Sequence, residues 1–268
     1  MSLSSEEITR YSRNILLNGV GKKGQEKLKS SVVSIVGLGG LGSPSALYLS
    51  AAGVGEIRII DSDVVDLTNL QRQILYSTNS QNSSKARSAK LKLSELNDKI
   101  KITEVNTRIT KSNIHEVLQG SHLVLEGSDN FETKFLVNDY CVLNSIPLLI
   151  AGILRFEGQV MGILPKRTAC YRCTFLEMPE ADSIPNCAEA GVLGSVAGIV
   201  GSIQATEALK YIIFGESELF GKILNCDFLS MELRKIERKR NKKCTVCGDT
   251  PKYIDLEHHE ELDFNCKI

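Results

Sequence analysis

The sequence predicts an α/β protein on a doubly wound, largely parallel sheet that is continued by antiparallel strands. Three observations carry that expectation: apolar runs alternate with helical stretches from Val32 to about residue 129, glycines cluster at the first strand-to-helix turn, and the rhythm changes after Pro147. With 268 residues the chain is long enough to bury a large core.

Residues 4–30 read as helical, with Ser4 and Glu7 spaced as a capping box and a break at Gly19 and Gly21. They form an arm ahead of the core. Next come "VVSIV", a helix over about 43–52, "EIRIID", a helix over about 85–97, "KITEV", a short helix over about 113–118, and "HLVLEG". Past Pro147, "LLIAGI", "GQVMGILP" and "GKILNCDFLSMEL" read as strands nearer to antiparallel, around one long helix over about 195–214. In and beside that helix Gly194, Gly198 and Gly201 permit close packing of a neighbour. The organisation expected is a helical arm over 1–30, one nucleotide-binding domain over 31–250 and a tail over 251–268.

The glycine cluster "SIVGLGGLGSP" holds Gly37, Gly39, Gly40 and Gly42 between the first strand and its helix. Glycines let backbone N–H groups approach a phosphate closely, and the following helix turns its positive end toward an anion. The turn is Rossmann-like; NAD, FAD and ATP proteins all use it, and a strand-to-helix turn without a ligand can look the same. Asp61 ends the second strand, nineteen residues beyond Gly42, where a carboxylate grips a ribose hydroxyl.

The stretch "DSDVVDLTNLQRQILY", which also holds Asp63, Thr68, Leu70 and Gln71, supplies Asn69 and Arg72, and Lys85 opens the next helix. Hydride transfer has little need of an extra Arg and Lys near phosphates, whereas a triphosphate needs both to oppose charge that builds at phosphorus. Asp129 falls where a strand's carboxyl end meets the next helix, in position to hold Mg²⁺ beside phosphates. Arg72 and Lys85 taken alone also read as ordinary surface charge.

Two CxxC pairs, Cys170 with Cys173 and Cys244 with Cys247, supply four thiolates for a tetrahedral Zn²⁺, a structural site with no open position. Seventy residues separate the pairs, so the metal would staple distant segments; a redox disulfide pair is the alternative. Cys187, in "IPNCAEAGVLG", reads either as a small buried residue or as a nucleophile accepting an activated acyl group or sulfur.

The 32 basic residues balance the 32 acidic ones, which argues against a protein that coats nucleic acid. The basic run "LRKIERKRNKK" reads as a solvated or internally paired block. The N-terminus lacks the apolar core of a signal peptide, and the uncharged stretch 190–205 is shorter than the roughly 18 residues of a membrane span. A soluble cytoplasmic protein is expected, without nucleic-acid or membrane partners.

Taken in order, "RYSRNILL", "GLGGLGSP", "AAGVGEIRIIDSDVVDLTNLQRQILY", "SDNFETKFLVND", "FEGQV", "CYRC", "NCAEAGVLG" and "CTVCGD" resemble the ubiquitin-activating-enzyme-like adenylyltransferases of the MoeB, ThiF and HesA group, over about residues 8–250. The resemblance implies ATP and Mg²⁺, a homodimer, and a ubiquitin-like sulfur-carrier protein ending in Gly-Gly, whose carboxylate is adenylated before a sulfur donor displaces AMP. It implies Gly40 at the phosphates, Asp61 at the ribose, and Thr68 to Arg72 along the nucleotide. Arg72 and Lys85 would stabilise the transferring phosphoryl group, Asp129 would hold Mg²⁺, and Asn130 would help bind nucleotide. Arg13 would reach across to the partner's site. Cys187 matches a cysteine that bonds covalently to the carrier in some members and is dispensable in others.

The chain departs from the family with "NSSK" where Gly-x-Pro-Lys is common, and with Lys134 where Arg is common. Its tail resembles the linker before a sulfurtransferase domain, so sulfur is expected from a separate sulfurtransferase or cysteine desulfurase. An NAD-dependent oxidoreductase and a non-catalytic nucleotide-binding adaptor are the competing readings. Among family members the motifs lie nearer to MoeB-like than to ThiF proteins; the molybdopterin, thiamine and tRNA thiolation pathways all fit.

Overall fold

The computed structural model describes residues 2–179 and 190–259. Eight strands form one sheet, β1 (Val32–Val36), β2 (Glu56–Ile60), β3 (Lys101–Val105), β4 (Leu123–Glu126), β5 (Leu148–Leu154), β6 (Glu157–Ile163), β7 (Lys222–Asp227) and β8 (Glu232–Glu237), in the order β3-β2-β1-β4-β5-β6-β7-β8. The first five are mutually parallel, and β5 then pairs antiparallel with β6, β6 with β7 and β7 with β8. The change of rhythm after Pro147 is therefore where the sheet changes sense, and "LLIAGI" belongs to both halves.

The arm carries α1 (Ser5–Arg10), α2 (Ser12–Ile15) and α3 (Gly21–Lys29). The Ser4–Glu7 capping box forms in full, satisfying two otherwise orphaned N–H groups. The break expected at Gly19 and Gly21 is there: both hold positive φ, +85° and +56°, between α2 and α3, which opens at Gly21. Tyr11 ties the arm down: its hydroxyl accepts from Asn97 Nδ2 at 2.8 Å, and its ring lies where any Cβ on Gly53 would come within 2.4 Å. Gly53, in the left-handed region at φ +83°, ends α4 (Gly42–Ala52).

The helices α5 (Lys85–Leu96), α6 (Ile114–Leu118), α7 (Phe131–Leu143), α8 (Tyr171–Thr174) and α9 (Gly194–Phe214) complete the core. One apolar cluster gathers residues of α4, α5 and α9, and another gathers α6, α7 and the cysteine pairs, so both faces of the sheet are covered. Phe135 of α7 is fully buried, worth about 2–3 kcal/mol of apolar transfer. The close packing expected of the α9 glycines occurs at two of them: a Cβ on Gly201 would come within 2.5 Å of Leu41 O, and one on Gly194 within 2.2 Å of Gln71 O. Gly198 differs, with nothing within 4 Å of its Cβ position, because it faces outward.

Candidate active site

The strand order reverses between β1 and β4, and the loops leaving their carboxyl ends meet there. A Cβ on Gly37, at φ +84°, would lie 2.9 Å from Ser128 N, and one on Gly42 would lie 2.0 Å from Gly37 O. Only glycine fits both positions, so the glycine loop and the Ser128–Asp129–Asn130 segment close on each other. Gly40 packs on another part of the site, its Cβ position 3.5 Å from Arg72 Cγ.

Asp61, at the end of β2, spans the base of this crevice. Leu38 N donates to its Oδ2 at 2.7 Å and Asp63 N to its Oδ1 at 2.8 Å, leaving lone pairs for further donors such as ribose hydroxyls. Burial pushes the Asp61 carboxyl above its ordinary value, against the opposing pull of Lys85 and the two backbone donors. Lys85 is 5% exposed, and its Nζ lies 2.8 Å from Asp63 Oδ2. Asp63 itself is 66% exposed, so the lysine stem is sequestered while its charge meets an open carboxylate. Where the family has Gly-x-Pro-Lys, Ser84 here caps α5 through Arg87 N at 3.3 Å, and Lys85 N donates to Asp63 O at 2.9 Å. The altered turn still delivers the lysine.

The segment Leu67–Asn69 is one 3₁₀ turn capped by Asp66, whose Oδ1 accepts from Thr68 N and Oγ1 at 2.8 and 2.6 Å. Leu70 and Gln71 follow, and Arg72 donates back to Thr68 O at 3.1 Å. That single backbone contact leaves the rest of its guanidinium for a ligand.

Asp129 is exposed, and its side chain makes no hydrogen bond or ion pair among the described residues. Asn130 is committed locally: its Oδ1 accepts from Thr133 N at 2.8 Å and caps α7. Beneath them lies a pair that the strand pattern left unread. Glu126, fully buried at the end of β4, accepts from Ser128 N at 2.8 Å and from Ser128 Oγ, and faces Lys134 Nζ at 2.5 Å. Burial pushes the Glu126 carboxyl up, while Lys134 and Ser128 act to hold it down. Lys134 makes no fork-shaped contact; it is a point charge between Glu126 and Ala151 O, 2.7 Å away. An ionisable residue closing the otherwise apolar "LVLE" was the available signal.

Arg13 sits exposed on α2 with no hydrogen bond or ion pair among the described residues. Cys187 lies outside the described residues.

The four cysteines of the two CxxC pairs converge as the spacing suggested. Sγ atoms of Cys170 and Cys173 lie 3.9 Å apart, Cys170 and Cys244 3.6 Å, and Cys173 and Cys247 3.3 Å, with all four within 4.8 Å of one another. A tetrahedral Zn²⁺ with bonds of about 2.3 Å requires sulfur–sulfur edges of roughly 3.8 Å, so this donor set fits the metal. The "basic run" serves this module: Arg238 donates to Cys170 O at 3.2 Å and Gly162 O at 2.9 Å, and Arg240 to Cys247 O at 2.8 Å.

Next to it Asp139, fully buried on α7, receives Arg172 on both oxygens at 2.8–2.9 Å and both His258 and His259 Nε2 at 2.8 Å. Burial alone would raise this carboxyl, but the hydrogen bonds from the two histidines and Arg172 hold it well below the carboxylate range. The cluster is a hydrogen-bonded strap that holds His258 and His259 against α7. Tyr253 stacks on His258 at 3.7 Å and completes it.

These features have counterparts in known proteins. Residues 11–246 match the ThiF family. The chain is 43% identical to the SAMP-activating enzyme E1 of Haloferax volcanii, over 100% of this chain and 98% of that protein. It is 41% identical to the sulfur carrier protein adenylyltransferase of Thermus thermophilus, over 97% and 98%. Against the adenylyltransferase and sulfurtransferase MOCS3 of Culex quinquefasciatus it is 40% identical but spans 60% of that protein's length. Among solved structures, E. coli MccB with ATP superposes with a TM-score of 0.78 at 26% identity, covering 89% of this chain and 74% of that one. The matched residues take in the glycine loop, Asp61, Lys85, Asp129 and the first CxxC pair, and on that ground the chain belongs to the ThiF family.

Proposed function

We propose that this protein adenylates the C-terminal Gly-Gly carboxylate of a ubiquitin-like sulfur-carrier protein. The observation that carries the reading is the gathering of a carboxylate, Asp61, and two cationic side chains, Lys85 and Arg72, about one glycine loop. Such a site neutralises a phosphate chain, for which a hydride-transfer site has no use. The names of the Haloferax and Thermus relatives, an E1 and a sulfur-carrier adenylyltransferase, agree with it.

In the reaction the carrier carboxylate attacks the α-phosphorus of ATP, forming the acyl-adenylate and releasing pyrophosphate. Asp61 would hold the ribose hydroxyls, the Gly37–Gly42 backbone the phosphates, and Arg72 and Lys85 the charge that grows as the bond to pyrophosphate breaks. Lys85 would exchange its open partner Asp63 for phosphate at little cost. Asp129 would hold Mg²⁺, which neutralises phosphate charge when bound. Its lack of any competing protein partner suits that task. Cys170, Cys173, Cys244 and Cys247 would hold Zn²⁺ in a closed, structural site. A sulfur donor would then displace AMP.

A homodimer is part of the same reading. A cavity of about 570 Å³ between α4 and α9 is lined by Pro44, Ile199 and Ile203 together with Tyr48 and Ile74, which are 58% and 60% exposed. An open apolar surface of this kind suits a second copy, which would also give the exposed Arg13 a site to complete. Cytoplasmic residence fits a cysteine-rich metal module; no helix among the described residues is long and apolar enough to cross a membrane.

Incubating the protein with ATP, Mg²⁺, labelled pyrophosphate and Gly-Gly-ended carriers from the same genome should move label into ATP. No exchange with any of them, alongside tight nicotinamide binding and no ATP binding, would replace this reading with a dehydrogenase. ATP binding without exchange would make the protein an adaptor.

A further inference from the structure

Gln73 is only 4% exposed, yet its side chain makes no hydrogen bond among the described residues. Its Oε1 is a buried acceptor without a partner. Its backbone is ordinary, with N donating to Asn69 O at 2.9 Å and O accepting from Tyr76 N at 3.1 Å, so the residue is firmly placed. Buried primary amides are normally satisfied, and a methionine or leucine would fill this volume without the desolvation penalty.

The amide also has a definite direction. Nε2 lies 3.6 Å from the Cβ position of Gly39, under the second glycine of the loop, and the preceding residue, Arg72, lies beside Gly40. Its donor end, Nε2, has no protein partner among the described residues and lies beside the glycine loop, the placement of a donor kept for a ligand's oxygen, while Oε1 stays a buried acceptor. Gly194, whose Cβ would meet Gln71 O at 2.2 Å, packs closely on the backbone two residues before Gln73.

We infer that Gln73 is a phosphate-binding residue of this site, donating from Nε2 to the phosphate chain of the bound nucleotide beside Arg72. The inference rests on the ATP site proposed above and adds to it a neutral donor within a ring of charged ones. Such a donor distinguishes nucleotides by their phosphates and not by their base or ribose.

The test compares wild type, Gln73→Met and Gln73→Glu, each full-length, by thermal unfolding without ligand and by calorimetric titration with MgATP and with adenosine. The expected result for Gln73→Met is an unchanged or raised Tm, because an unpartnered amide is removed, with ATP affinity lowered about tenfold and adenosine affinity unchanged. Gln73→Glu keeps the shape but replaces the donor by an acceptor, and should weaken ATP at least as much. ATP affinity within twofold of wild type in both variants would overturn the inference, as would an equal loss for ATP and adenosine. Wild-type protein that binds no ATP would instead bring down the proposed function, a result distinguishable from either.

Discussion

The nucleotide edge and the cysteine module hold their charged and reactive groups in opposite states. At the edge, among the described residues, Asp129 is exposed without a partner, Asp63 is open to solvent and Arg72 has one backbone contact. In the module, three of the four thiols are buried, two arginines bond the knuckle backbones, and Asp139 collects Arg172, His258 and His259. One region keeps most of its bonding capacity for something that arrives, and the other turns most of its polar groups inward, Arg238 Nε and His258 Nδ1 excepted. Reactive residue types therefore do not mark a reaction site; unspent valence does.

Breaking the module should change stability and leave chemistry. Cys244→Ser is expected to lower zinc from about one per chain to near zero by metal analysis and to lower Tm by about 10 °C or more. The surviving folded fraction should retain exchange activity. A metal-free wild type with the same Tm would erase the contrast.

Lys134→Met probes the ground between the two regions, because it strands the buried Glu126 charge. A loss of about 3–5 kcal/mol in denaturant unfolding is expected, with exchange also reduced as the Ser128–Asp129 turn loosens. Unaltered stability would mean that Glu126 is protonated and the pair is not ionic.

At the edge the signs reverse. Asp129→Ala should lower pyrophosphate exchange by about 100-fold while Tm moves by no more than about 2 °C, since the side chain has no partner to lose. Near-normal exchange would remove Asp129 from the metal role. Lys85→Met should have the smallest effect, about tenfold on exchange, with a slight change in Tm because its stem is replaced by apolar atoms. A large loss of stability there would class Lys85 with the module.

Much of this was legible in the sequence. "VVSIV", "EIRIID", "KITEV" and "HLVLEG" became β1 to β4: the central β1 and β4 are covered on both faces and nearly all apolar, whereas the edge strand β3 fully buries only Ile102. The glycine loop and both CxxC pairs are local patterns with local geometry, and they formed as read. What stayed unread depends on partners distant in sequence. Glu126 and Lys134 are eight residues apart, but their pairing also needs Ala151 from β5. Asp139 meets His258 and His259 across 119 and 120 residues, and no periodicity encodes such a meeting. Gly198 shows the converse, a glycine spaced like its neighbours that faces outward.

The sequence by itself determined the order of strands and helices, the turn that only glycine can make, and which thiols would gather, because each follows from side-chain period or backbone sterics over a few residues. Tertiary structure alone decided which charges are spent. Arg172 and Arg72 are the same side chain in two different motifs, one closed onto a buried carboxylate and the other left open beside a glycine loop. The reason is that an ion pair's worth depends on burial and on a third partner, and both are properties of the folded chain.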